Sequence, residues 1–128
     1  MGLKRSVSLA SGLRYQGGGP MLVFILHRIS GLGIVVLVAL HILASFLTQQ
    51  FGSDAGMFIN SIYEHWIFQI FIIFLALIHV INGLRIVIMD LWPALLEHQR
   101  EATWVEWFIF LPIFGLAVIV LIQNGLSG

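Results

Sequence analysis

The chain has 128 residues, six Lys/Arg against six Asp/Glu, 59% hydrophobic and only 9% charged residues, and a mean hydropathy of +1.02. A soluble domain carries roughly 25% charged residues and a nucleic-acid binder needs a basic patch. These figures therefore exclude a soluble enzyme, a disordered tail and a nucleic-acid partner, and leave a single-domain integral membrane protein.

Residues 1–20 form an N-terminal segment. Lys4 and Arg5 imitate the start of a signal peptide, but the stretch 6–12 is too polar and too short for the apolar region that should follow. The segment is therefore read as mature and cytoplasmic. Gly17, Gly18 and Gly19 make a flexible lead-in, and Pro20 suits the first turn of a helix. Three apolar runs follow, 21–48, 62–92 and 104–124. Each can cross a hydrocarbon core of ~30 Å, which takes about 20 helical residues. Lipid offers the backbone no hydrogen-bond partner, so the runs are predicted to be transmembrane helices in an all-α membrane protein. An outer loop (49–61) holds Gly52, Ser53, Asp54 and Gly56. Pro93 closes the second helix and begins a cytoplasmic loop (93–103). Pro112 is expected to kink the third helix. Ser30, Gly31 and Gly33 on the first helix and Gly83 on the second permit close helix approach. There is no internal repeat. The chain has no cysteine, so it can form no disulfide, thiolate zinc site or Cys-ligated iron–sulfur cluster.

Basic residues set the orientation. Lys4, Arg5 and Arg14 precede the first helix and Arg28 lies near its start. Arg85 is late in the second helix, and Arg100 follows it. The loop 49–61 has neither Lys nor Arg. The N-terminus and the second loop are thus predicted to be cytoplasmic and the C-terminus outside. Trp92, Trp104 and Trp107 would mark the inner interface, Tyr63 and Trp66 the outer one.

Ionisable groups inside a span are costly, and they point to function. Here they are His27, Arg28, His41, His79, Arg85 and Asp90. His27 and His41 return to nearly the same helix face, ~21 Å apart along the axis. On the returning helix His79 lies ~16 Å above the inner interface, with Arg85 ~9 Å below it. A buried neutral imidazole on a membrane helix is a natural axial ligand for haem iron. His41, at ~26 Å above the same interface, is too far out to share an iron with His79. The two would ligate different haems, or one of them none; either way an opposite ligand from another chain is needed, which implies an obligate membrane partner. His65, beside Glu64, is read as a solvated helix-end residue. Glu97, His98, Arg100 and Glu101 form a hydrophilic, mixed-charge turn.

His27-Arg28-Ile29-Ser30-Gly31 resembles the H-R-x-[ST]-G motif of the cytochrome b membrane anchors of succinate dehydrogenase. His79-Val80-Ile81-Asn82-Gly83-Leu84-Arg85, ending at Asp90, is similar to the H-x-x-x-G-[LI]-R-x4-D signature of the same family. The two motifs occur in order at matching places in a three-span chain. The resemblance covers about residues 20 to 125.

The resemblance implies a haem b-binding anchor that takes electrons from an iron–sulfur subunit to membrane quinone. Its partners would be a second anchor subunit, the iron–sulfur subunit and a flavoprotein where succinate is oxidised, and its place the bacterial cytoplasmic membrane. No catalytic residue in the strict sense belongs to this chain. His79 matches the haem axial ligand, and His27, Arg28 and Arg85 match residues at the haem propionates. Arg28, Ser30, Asp90 and Trp92 are expected at the quinone. Some relatives place a serine one turn before the helix 1 arginine; here it is Phe24, and Ser30 is the substitute considered. His41 occupies a depth where two-haem anchors carry a histidine, so two haems shared with the partner anchor are expected. The turn around His98 would touch the iron–sulfur subunit. The alternatives are the anchor of a fumarate reductase or of another respiratory complex such as a hydrogenase, and a haem-free structural or transport subunit that uses its buried charges as a proton path.

Overall fold

The computed structural model describes Ser8, Ala10 and residues 18–128. Lys4, Arg5, Arg14 and Gly17, which carry much of the N-terminal reading, lie outside the described residues. Within the described residues 18–128, four α-helices follow in chain order: α1 (Gly18–Phe51), α2 (Asp54–Glu64), α3 (Trp66–Leu91) and, after a 3₁₀ helix (Pro93–His98), α4 (Gln99–Ser127). There is no strand among the described residues. α1, α3 and the stretch from the 3₁₀ helix through α4 are each long and apolar enough to cross a membrane. The protein is an all-α integral membrane protein.

Helix boundaries follow local chemistry. α1 begins two residues before Pro20, which sits in the first turn, where its missing N–H would have no intrahelical acceptor anyway. The helix extends to Phe51, beyond the apolar run 21–48, and ends at Gly52, whose φ of 59° is readily adopted only by glycine. Ser53 then caps α2, its Oγ accepting from the Gly56 N–H at 3.3 Å. Most of the stretch 49–61, read as a loop, is thus helical. Polar residues of α2 face α1: Ser45 Oγ donates to Asn60 Oδ1 at 3.3 Å, and Tyr63 Oη donates to the Leu37 carbonyl at 2.6 Å.

The second apolar run is not one helix. The backbone is extended at His65 (φ −71°, ψ 128°), whose ring accepts from the Ile67 N–H at 3.3 Å and opens α3. His65 is an exposed cap, in keeping with its reading as a helix-end residue. α3 closes at Trp92, whose N–H reaches the Ile88 carbonyl at 3.0 Å, and Pro93 starts the 3₁₀ helix. The expected loop 93–103 is therefore a 3₁₀ turn running directly into α4. α4 passes Pro112 without a break.

α3 packs between α1 and α4, and α2 lies along α1. Apolar burial is sparse: Val23, Ala44, Leu75, Ile78, Met89 and Phe110 are the buried hydrophobic residues. Phe74, Phe110 and Phe114 pack ring to ring across the α3–α4 contact, 5.3–5.7 Å apart. Large apolar side chains cover the outside, Phe108 being 82% and Leu32 69% exposed. A surface of that kind is stable only against lipid or a partner.

Candidate functional site

The small residues let α1 and α3 approach closely. A Cβ on Gly31 would lie 2.9 Å from the His79 ring, and one on Gly33 would lie 3.1 Å from Leu75. The clearance at Gly31 is the space the His79 imidazole occupies. His27 of α1 stacks on it, ring centroids 4.3 Å apart and planes 2° from parallel. The two histidines are therefore level. The positions along the two spans put His27 nearer the inner interface than His79; the packing register of α1 on α3 instead brings the two rings to one depth.

The hydrogen bonds around His79 fix its tautomer. Ser30, 1% exposed, donates its hydroxyl proton to the His27 carbonyl at 2.8 Å. His79 Nδ1 lies 3.3 Å from that same carbonyl and 3.4 Å from Ser30 Oγ. The carbonyl can only accept, and the committed hydroxyl can only accept from the ring. Nδ1 therefore carries the proton and Nε2 keeps its lone pair, an assignment made from the network. Metal-bound histidines share this arrangement, in which one nitrogen is tied to a carbonyl and the other is left to the metal.

One turn towards the 3₁₀ helix is a second polar cluster. Arg85 Nε and Nη2 donate to Asn82 Oδ1 at 3.0 and 2.8 Å, and Nη1 donates to Thr103 Oγ1 at 3.3 Å. Glu106 Oε2 pairs with Arg85 Nε at 3.0 Å. Asn82 is 0% and Glu106 6% exposed. Asn82, Thr103 and Glu106 were missed by the sequence reading. Glu106 stands between aromatic residues at the start of an apolar run and reads as an interfacial charge. Only the packing of α4 on α3 turns it inward.

The remaining expected residues are spread out. Arg28, adjacent to His27 but ~100° round the helix, is exposed, with its guanidinium 5.1 Å from the Phe24 ring centre. It makes no ion pair among the described residues. Asp90 and Phe24 line a cavity of about 220 Å³ together with Asn82 and Arg85. Trp92 is 59% exposed. Of the four residues expected at the quinone, Ser30 lies with the histidines, Arg28 reaches Phe24 on α1, Asp90 lines the cavity and Trp92 closes α3. Arg85, expected at a propionate, has its charge balanced by Glu106. His41 is exposed on α1, its ring 4.8 Å from that of Tyr63, far along the helix from the histidine pair.

Comparison with known proteins identifies the family. Residues 1–124 match the family described as succinate dehydrogenase/fumarate reductase transmembrane subunit. Over 110 residues the chain is 24% identical to the succinate dehydrogenase 2 membrane subunit SdhC of Mycobacterium tuberculosis (strain ATCC 25618 / H37Rv), covering 83% of this chain and 79% of that protein. No solved structure matches significantly. A family match over nearly the whole length, on a three-span fold, settles the class: the chain belongs to the succinate dehydrogenase/fumarate reductase transmembrane subunit family.

Proposed function

We propose that this chain is a haem b-holding anchor of a succinate:quinone oxidoreductase, passing electrons from an iron–sulfur subunit to membrane quinone. The observation that carries this reading is the fixed tautomer of His79. Its Nδ1–H is held by the His27 carbonyl and Ser30, so Nε2 is the nitrogen available to iron. The residues present thus fit a haem. When bound, it supplies a one-electron relay within the membrane.

The chain's own groups do the positioning. Ser30 and the His27 carbonyl orient the imidazole, and Gly31 gives it room. Arg28, exposed and without an ion partner among the described residues, is the cation to meet either a haem carboxylate or the charge developing on a quinone oxygen. His41 has no hydrogen-bond partner among the described residues. It is the proposed ligand of a second haem, opposite a histidine of a second anchor subunit. Asp90 and Trp92 border the quinone region on the cytoplasmic side, where the 3₁₀ helix would meet the iron–sulfur subunit, with the flavoprotein beyond it. The membrane would be the bacterial cytoplasmic membrane, N-terminus inside and C-terminus outside.

The test is a reduced-minus-oxidised spectrum of the purified complex, with haem quantified against flavin, for the native protein and for His79→Ala. The native complex should show a low-spin haem b band. In His79→Ala that haem should be lost or become high-spin. A native complex without haem, or a variant with an unchanged low-spin spectrum, would overturn the assignment.

A further inference from the structure

α3 and α4 enclose an apolar groove of about 470 Å³, within the roughly 300–1,000 Å³ of small-molecule sites. Ile81, Leu84 and Ile88 line it from α3 and Val105 and Ile109 from α4. The α3 residues stand roughly 140–200° round the helix from His79, so the groove lies on the face turned away from the histidine pair. Leu84, Ile88, Val105 and Ile109 are all exposed, so the groove opens sideways to the surroundings of the spans. From Glu101 at the 3₁₀ end to Ile109 it runs ~12 Å along α4. A subunit outside the membrane does not reach that depth, and a second anchor sharing the His79 haem would approach the opposite face. Lipid is what remains.

The charges at the groove select among lipids. Arg85 and Glu106 on its wall neutralise each other at 3.0 Å. Arg100 lines a separate cavity with Gly19 and Trp104. This leaves Glu101, exposed and in no ion pair among the described residues, as the net charge of the groove. His98 lines the same end. Exchanging one acyl chain for another brings no hydrophobic gain, so any selectivity rests on this polar end. A carboxylate there repels an anionic headgroup and attracts an ammonium. A primary ammonium also brings N–H donors, which a quaternary one lacks.

We propose that the groove seats one phospholipid with a primary-amine headgroup. Its ammonium donates to the Glu101 carboxylate, its phosphate accepts from His98, and one acyl chain lies between α3 and α4. The site is separate from the haem and quinone reading above.

The experiment takes the purified complex in detergent with equal amounts of phosphatidylethanolamine, phosphatidylcholine and phosphatidylglycerol, washes it, and counts the retained lipids by mass spectrometry. The native complex should keep phosphatidylethanolamine in preference to the other two. Glu101→Gln should lower that preference about fivefold, the scale of one partly exposed ion pair. Glu97→Gln, which removes a charge outside the groove, should leave it unchanged. Val105→Trp fills the groove and should release the lipid. A native complex with no such preference, or a preference that Glu101→Gln leaves intact, overturns the proposal. So does phosphatidylglycerol or quinone held by the native complex and released by Val105→Trp. If Val105→Trp fails to assemble, Glu101→Gln decides alone. A native complex that lacks haem but still holds phosphatidylethanolamine through Glu101 removes the haem reading and leaves this one standing.

Discussion

Histidines placed at different depths have different surroundings, and these assign them different chemistry. His79 is enclosed by α1, its proton committed to the backbone and its ring stacked on His27. His41 stands exposed among Leu40, Ile42 and Leu43, its ring beside the tilted Tyr63 ring and without a hydrogen-bond partner among the described residues. An imidazole on a lipid-side surface with no polar partner in its own chain needs one from outside. The separation of His41 from His79, expected from their positions in the sequence, is present in the structure. No single iron could accept both, since Fe–N bonds of ~2 Å require the two rings to be nearly level. We therefore predict that His41→Leu lowers the haem-to-flavin ratio of the purified complex from two to one and leaves the His79 haem band intact. A native ratio of one would return His41 to a histidine merely covered by a neighbouring subunit.

The α3–α4 contact is held by an ion pair that a lipid-facing surface would not tolerate. Arg85 and Glu106 meet at 3.0 Å with side chains 14% and 6% exposed. Taking away one partner strands the other charge, which typically costs about 3–5 kcal/mol. Removing both strands no charge, at the lesser cost of the Arg85 bonds to Asn82 and Thr103. We predict that Glu106→Leu lowers the thermal midpoint of the complex markedly, and that Arg85→Leu/Glu106→Leu recovers most of the loss; additive effects in this cycle would show that the pair does not couple the helices. This ion pair also marks what the sequence could reveal. The apolar runs announced the spans, and the turn chemistry of Gly52–Ser53 and Trp92–Pro93 announced the breaks. Small residues at 31, 33 and 83 located the α1–α3 contact. The break at His65 stayed hidden because Ile62 and Tyr63 continue the apolar run in sequence while belonging to α2 in space. Asn82, Thr103 and Glu106 stayed hidden for a related reason: a polar residue near a span end looks solvated until the neighbouring helix is in place. The level pairing of His27 with His79 required knowing the packing register of α1 on α3.

The three-span array buries too little of its own surface to stand alone, and its charge distribution predicts an orientation. Arg28, Arg85 and Arg100 are grouped towards the end that holds the 3₁₀ helix, and Lys4, Arg5 and Arg14 precede α1 in the sequence. The opposite turn, between α1 and α2, carries Gln49, Gln50 and Asp54 but no Lys or Arg. Positive residues are retained on the cytoplasmic side of short loops, so this turn should lie outside. The native chain has no cysteine, which makes any introduced thiol unique. Ser53 is a poor site for one, because its side chain caps α2. Gln50 is exposed and makes no such contact, and Glu97 is exposed at the opposite end. We predict that Gln50→Cys in intact cells reacts with a membrane-impermeant maleimide, and that Glu97→Cys reacts only after the membrane is opened. The reverse pattern would invert the topology. It would then also move the His79 pair and the Asn82 cavity to the outer half of the membrane, away from any cytoplasmic iron–sulfur subunit, so this labelling tests the electron route together with the orientation.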